Sequence, residues 1–205
     1  MTLTVKSGGR GMREELRDEI LDAADRLLTR FGYRKMTVDD LAVEAGIGKG
    51  TVYLYFPSKQ EVALCWVDRL IRRLVRCLEQ LAAEERPAPE RLRAMLLARV
   101  EFLFESAVER FHVLEELYGV LRDAYMPRRQ DYLRWEGAVL ARVLRDGIAA
   151  GELRECDPEQ TARALLLATN SLLPYSLGKQ EMSERPRILR DAEAVVDLLI
   201  HGLRP

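Results

Sequence analysis

The sequence predicts an all-α protein of about nine helices, and three observations carry that expectation. Apolar residues recur at i, i+3, i+4 and i+7 through most of the chain. The breaks between these stripes hold helix punctuation: a Ser, Thr or Asp followed three residues later by a Glu, Asp or Gln, or a Pro or Gly. No Asn-Gly step joins two alternating runs, so no hairpin is expected.

Residues 1–13, with Lys6, Arg10 and Arg13 set among Gly, Ser and Thr, read as a flexible basic arm. Met1–Met12 lacks the apolar stretch of a secretory signal, and a cytoplasmic location is expected. From Glu14, the stripe Leu16, Ile20, Ala24, Leu27, Leu28 and Phe31 predicts a helix that ends at Gly32 as its C′ residue. Thr37 and Asp40 form a near capping box opening a short helix through Glu44, and Gly46 breaks it. A second short helix spans about Gly48 to Tyr55, stopped by Pro57. Ser58 to Glu61 reads as a full capping box for a long helix to about Glu84, with Val67, Leu70, Ile71, Leu74, Leu78 and Leu81 on its apolar side.

Further helices are expected over Glu90–Ser106, about Val108–Asp123, and from a segment with Pro127 near its first turn to Ala150. Asp157-Pro158 and Gln160 open the next, over about 158–177, and the last covers about 186–203. Pro174 has no N–H for the carbonyl of Asn170, so a kink is expected there, with Asn170 and Ser171 placed to serve that carbonyl or a ligand.

Composition excludes several classes of function. The 205 residues carry 32 Lys+Arg against 33 Asp+Glu, a net charge of −1, which excludes an indiscriminate polycationic coat for nucleic acid or membrane. With 48% hydrophobic residues there is material for a core, and the wholly apolar runs, Ala164 to Ala168 for example, are far short of the roughly 20 residues of a spanning helix. Cys65, Cys77 and Cys156 are odd in number and widely spaced, which suits packing and neither a disulfide framework nor a zinc site. His112 and His201 stand apart, and no phosphate loop or nucleophile motif is present, so no catalysis, cofactor or metal is expected.

The two short helices form a helix-turn-helix candidate. Ala42 is small where the helices cross, Gly46 permits a left-handed turn, and Ile47 and Val52 anchor the second helix on the first. On the second helix Lys49, Thr51, Tyr53 and Tyr55 project polar tips, and Gly50 brings the backbone close to a groove. Lys49 suits guanine O6/N7 and Thr51 a base edge. Tyr53 and Lys59 suit phosphates, and Thr37 stands at a helix N-terminus that favours an anion. For Tyr55 a second reading stands, in which it packs with Phe56 on the long helix. For the arm, minor-groove entry and loose phosphate contact both stand.

Phe31-Gly32-Tyr33, Thr37 to Ala42, Ala45 to Phe56 and Ser58-Lys59 resemble the N-terminal domain of TetR-family transcriptional regulators over about residues 14–64. The resemblance implies a DNA-binding domain at residues 14–60 and an effector-binding and dimerisation domain at 61–205. It implies a homodimeric repressor, or less often an activator, released from a palindromic operator by a small molecule. By matched position, Lys49, Gly50, Thr51, Tyr53 and Lys59 contact DNA, with Thr37 on a phosphate. The dimer is expected through the helices at 158–177 and 186–203.

Aromatic residues gather beyond residue 100, and Met95, Phe102, Tyr118, Tyr132, Trp135 and Asn170 are the candidate pocket residues, with ordinary core packing as the alternative. Arg69, Arg72, Arg73 and Arg76 form a basic stripe, expected to be solvated and paired with Glu101, Glu105 and Glu109, or else to hold an acidic effector. The competing function is an architectural or cell-division regulator controlled by a protein partner. A filled core over 95–175 favours that reading, and a lined void favours the effector.

Overall fold

The computed structural model describes residues 8–108 and 111–205, and every described element is helical. The helices are α1 (Gly8–Lys35), α2 (Val38–Glu44), α3 (Lys49–Tyr55), α4 (Lys59–Ala82), α5 (Ala88–Val108), α6 (Phe111–Val120), α7 (Arg122–Ala149), α8 (Pro158–Thr169), α9 (Lys179–Met182) and α10 (Arg185–His201). Nine of these span seven residues or more among the described residues. The tenth, α9, is a single turn.

The caps were legible locally. Thr37 accepts the N–H of Asp40 while the Asp40 carboxylate accepts the N–H of Thr37, closing the box that opens α2. Asp157 likewise accepts from the N–H of Gln160 at the start of α8. Ser58 accepts from the N–H of Glu61, but this box is only half made. The Glu61 carboxylate turns away to Arg128 and Cys65, because a guanidinium from α7 is a stronger partner than an exposed N–H.

Other expectations are corrected. The basic arm is helical from Gly8, since extending an existing helix costs far less than starting one; Lys6 lies outside the described residues. Phe31 is 44% exposed, its ring covered by the Arg30 guanidinium 4.9 Å away and not by the core. Gly32 does leave the helix, at φ 78° and ψ 170°, but helical bonding resumes over the next turn. Pro127 falls in the second turn of α7. The helix expected over 158–177 ends at Thr169. Pro174 holds Leu173 extended (φ −89°, ψ 150°), so 170–176 folds as two 3₁₀ turns. The Asn170 carbonyl is satisfied by the N–H of Leu173 and the hydroxyl of Ser176, not by Ser171.

Beside a small apolar cluster of Val100, Phe104, Leu172, Leu173, Ile188 and Ala192, two large ones organise the molecule. One joins α1 to α4 with α6 and α7, from Ile20 to Tyr132. The other packs α4, α5, α7, α8 and α10, from Leu74 to Leu203. α4 belongs to both, so the expected boundary at residue 60 falls inside the first turn of a helix common to both halves. Gly147 permits the approach of α7 to the start of α5, where a Cβ would lie 2.5 Å from that of Ala88.

Candidate DNA interface and effector cavity

Leu41 and Ala42 of α2 and Val52 of α3 are buried together, and Gly46 takes the left-handed turn between them at φ 68°. The N–H of Ile47 closes the corner on the carbonyl of Ala42 at 2.9 Å. Phe56, also buried, is capped by the Arg17 guanidinium at 5.1 Å from its ring. The pair is braced against α1 by Arg26, which bonds Glu44 at 2.5 Å.

The structure leaves Lys49, Gly50 and Tyr53 of α3 exposed to solvent. The Lys49 ammonium bonds Asp39 of α2 at 2.8 Å, and that hydrogen bond holds its pKa above the ordinary lysine value. Tyr53 is exposed, Thr51 half-buried, and Gly50 faces open space. Tyr55 is half-buried against the first cluster, as its second reading had it. Thr37 has both its N–H and hydroxyl engaged with Asp40. Lys59 stands apart, donating to the carbonyls of Tyr33 at 3.0 Å and Arg34 at 3.3 Å, with its ammonium 4.5 Å from the Tyr33 ring.

A cavity of about 50 Å³ lies between α4, α5, α7 and the turns after α8. Val67, Leu70 and Ile71 of α4 form one wall, Tyr125, Arg129 and Tyr132 of α7 another, and Leu173 and Pro174 a third. Arg99 and Glu136 complete it. They form an ion pair at 2% and 3% exposure, and Arg99 also donates to Thr169 and the side chain of Asn170, each at 2.9 Å. Burial of a charge requires such partners.

Of the pocket candidates, Tyr132 lines this cavity and Asn170 holds Arg99 from behind it. Met95 is buried in the second cluster, Phe102 packs at its edge, and the Tyr118 side chain lies outside the described residues. Trp135 packs at a tilt against Tyr132, with ring centroids 5.6 Å apart, and faces a groove with Arg72 and Arg76. Arg99 and Glu136 were missed, although a signal existed: each interrupts the apolar side of its own helix, Leu92-Leu96-Arg99-Leu103 and Tyr132-Glu136-Leu140.

From the cavity wall a polar chain runs toward the DNA module. The Tyr132 hydroxyl donates to Asp68 at 2.6 Å, Asp68 pairs with Arg128 at 2.5 Å, and Arg128 pairs with Glu61 at 2.6 Å. Burial, then the Asp68 bond, pushes the Tyr132 phenol well above the usual value. Arg72, Arg73 and Arg76 of the arginine stripe are exposed as expected, but the expected acidic partners are corrected. Arg69 bonds Asp22 and the Leu21 carbonyl, and Arg72 lies 5.5 Å from the Trp135 ring. Glu101 and Glu105 pair with Arg185, because α10 rather than α4 lies beside that face of α5, while Glu109 lies outside the described residues.

Among the described residues no helix is long and apolar enough to cross a membrane, and no cluster of His, Cys, Asp and Glu suits a metal. Residues 20–64 match the model of bacterial regulatory proteins of the tetR family, and residues 88–196 that of the tetracyclin repressor-like C-terminal domain. An uncharacterized HTH-type transcriptional regulator of Bacillus subtilis, YhgD, is 30% identical over 156 residues, covering 72% of this chain and 76% of the relative. A TetR-family regulator from Pectobacterium atrosepticum superposes with a TM-score of 0.73 at 23% identity, over 95% of this chain and 97% of that one. The B. subtilis regulator FadR, in its complex with stearoyl-CoA, superposes with a TM-score of 0.66 at 22% identity, over 91% and 99%. With its helix-turn-helix, its helical C-terminal half and both family matches in register, this chain belongs to the TetR family of bacterial transcriptional regulators.

Proposed function

We propose that this chain is a homodimeric repressor that leaves a palindromic operator when a small apolar molecule with a polar end occupies the cavity. The observation that carries the reading is the double role of α4. It starts at Lys59, four residues after α3 ends at Tyr55, and its Val67, Leu70 and Ile71 wall the cavity. Expanding the cavity therefore moves the helix on which the DNA module is mounted.

At about 50 Å³ the void is well under the roughly 300 Å³ of a ligand pocket, so binding requires the walls to part. That requirement is the coupling: an effector stabilises the parted state, and DNA stabilises the other. A lined void favours this reading over control by a protein partner. Its apolar lining, the ion pair of Arg99 and Glu136 at one end and the acyl-CoA complex of the similar FadR favour an amphiphilic effector.

Exposed Leu167 on α8 and Leu198 on α10 support the dimer through residues 158–177 and 186–203. Two copies of α3 then read two half-sites about one DNA turn, or a multiple of it, apart. Lys49, Thr51 and Tyr53 are the proposed DNA contacts, with Gly50 admitting the backbone. Lys59 and Thr37 reach phosphates through what their internal bonds leave over, and Tyr55 supports α3.

The test is a thermal-shift screen of amphiphilic metabolites, long acyl-CoAs among them, followed by DNA-binding titrations on sequences enriched from random duplex. A true effector raises the melting temperature and weakens DNA binding, and DNA weakens the effector by the same factor. Stabilising compounds that leave DNA affinity unchanged would overturn the effector reading. No enrichment of any duplex would overturn the DNA reading.

A further inference from the structure

Leu54 is 75% exposed on α3, a large aliphatic side chain on a helix whose other outward residues are polar or glycine. Its position on the helix is specific. At about 100° per residue, Leu54 and Gly50 each lie about 160° from the buried Val52, so they form the pole of α3 farthest from the core. Lys49 lies only about 60° from Val52 and leans on Asp39, while Thr51 and Tyr53 flank at about 100°.

A groove that receives α3 meets this pole first. Gly50, one turn before Leu54, has nothing within 4 Å of where a Cβ would stand, so no side chain on the pole shields Leu54 or holds the helix away. Tyr55 ends the helix one residue later, leaving no following turn to cover it. A leucine cannot donate or accept a hydrogen bond. Among the base edges of the major groove the one apolar group is the C5-methyl of thymine.

We infer that Leu54 is a base-reading residue that packs on the C5-methyl of one thymine in each half-site, with Gly50 admitting that base edge to the helix surface. This rests on the proposal that α3 enters the major groove. It assigns direct sequence discrimination to an apolar contact at the pole, with Lys49 and Thr51 reading from the flanks.

The experiment separates the methyl from every other feature of the base. Duplexes are enriched from a random pool with the full-length wild-type protein, and each thymine in a half-site is replaced singly by uracil, which lacks only the methyl. Wild type is expected to lose about fourfold in affinity at one thymine, the worth of one buried methyl. Leu54→Ala binds the thymine and uracil duplexes equally, and Leu54→Met keeps most of the discrimination. The exposed position makes both variants safe for folding, checked by their unchanged melting temperature.

A flat uracil scan with the wild-type protein overturns the inference, as does a Leu54→Ala protein that keeps the same ratio or loses affinity evenly at all positions. These outcomes leave the DNA reading intact. Failure to enrich any sequence overturns the DNA reading itself.

Discussion

The carboxylate of Glu116 in α6 accepts the backbone N–H of Tyr33 at 2.7 Å, joining residues 83 positions apart. The N–H of Arg34 binds the other oxygen at 3.0 Å. On the opposite side of the same turn the Lys59 ammonium takes the Tyr33 and Arg34 carbonyls. An anion thus meets the donors of the turn and a cation its acceptors, which fixes the end of α1 to both α6 and the first turn of α4. Burial, and then the nearby Glu116 charge, raises the Tyr33 phenol above its usual pKa.

Replacing Glu116 with Ala leaves the partly buried N–H of Tyr33 without its partner and the exposed N–H of Arg34 to water. A loss of about 2 kcal/mol in unfolding free energy is expected. Amide hydrogen exchange is the sharper readout: Tyr33 and Arg34 should exchange far faster in Glu116→Ala, while Leu41 and Val52 keep their relative protection. Unchanged exchange at Tyr33 would contradict the clamp.

Gly32 sits at φ 78° and ψ 170°, a region reserved almost wholly for glycine, and a Cβ there would lie 2.7 Å from the Glu116 carboxylate. Gly151, at φ 68°, has open space around it. Urea titrations should show Gly151→Ala costing about 1 kcal/mol and Gly32→Ala about 3 kcal/mol. Equal losses would mean that the clamp exerts no steric demand.

The raised Tyr132 phenol gives a pH dependence with a definite sign. The neutral form is favoured in the folded state, so this stabilisation is complete below the unfolded value of about 10 and is lost as pH rises toward the folded value. Tyr132→Phe removes the hydroxyl donated to Asp68 and should be about 1–2 kcal/mol less stable than wild type at pH 8. The gap should narrow as thermal scans move beyond pH 10. A constant gap would place the alkaline loss elsewhere.

Arg99 and Glu136 are a buried pair at the cavity wall. Arg99→Met alone leaves Glu136 charged and unpartnered, with an expected loss of about 3–5 kcal/mol. The double variant Arg99→Met with Glu136→Leu should recover most of it. Chemical denaturation of the two single variants and the double gives the coupling directly, and additive losses would show that the two side chains do not act as a pair.

Leu198 on α10 and Leu167 on α8 are 74% and 45% exposed in the single chain. If these faces form the proposed dimer, Leu167→Glu with Leu198→Glu should leave the chain folded but monomeric in sedimentation equilibrium and weaken binding to the enriched duplex at least tenfold. A dimer that persists would move the interface to another face.

Much of the DNA module was legible because its determinants are local. The box of Thr37 and Asp40, the turn at Gly46 and the burial of Val52 each depend on residues within a few positions, where covalent geometry limits the outcomes. Leu54 was missed, although its distance of two residues from Val52 puts it at the outer pole of α3. The half-made box at Ser58 is the exception that shows the limit. Ser58 and Glu61 satisfy the local rule, yet Glu61 goes to Arg128, 67 residues on.

The pocket was legible only as a region. Periodicity identifies the apolar side of each helix, but which helix covers it depends on packing angles that no single stripe encodes. Hence Met95 and Tyr132, both predicted to line a pocket, part company, one filling a core and the other facing the cavity. By itself the sequence determined most of the helices, the caps at Thr37 and Asp157 and the turn at Gly46, since those arise from hydrogen bonds and side-chain spacing within a turn or two. Only the tertiary structure decided that Arg99 finds Glu136, that Glu116 finds Tyr33 and that α4 carries both the cavity wall and the DNA module, because these contacts exist only once distant helices pack.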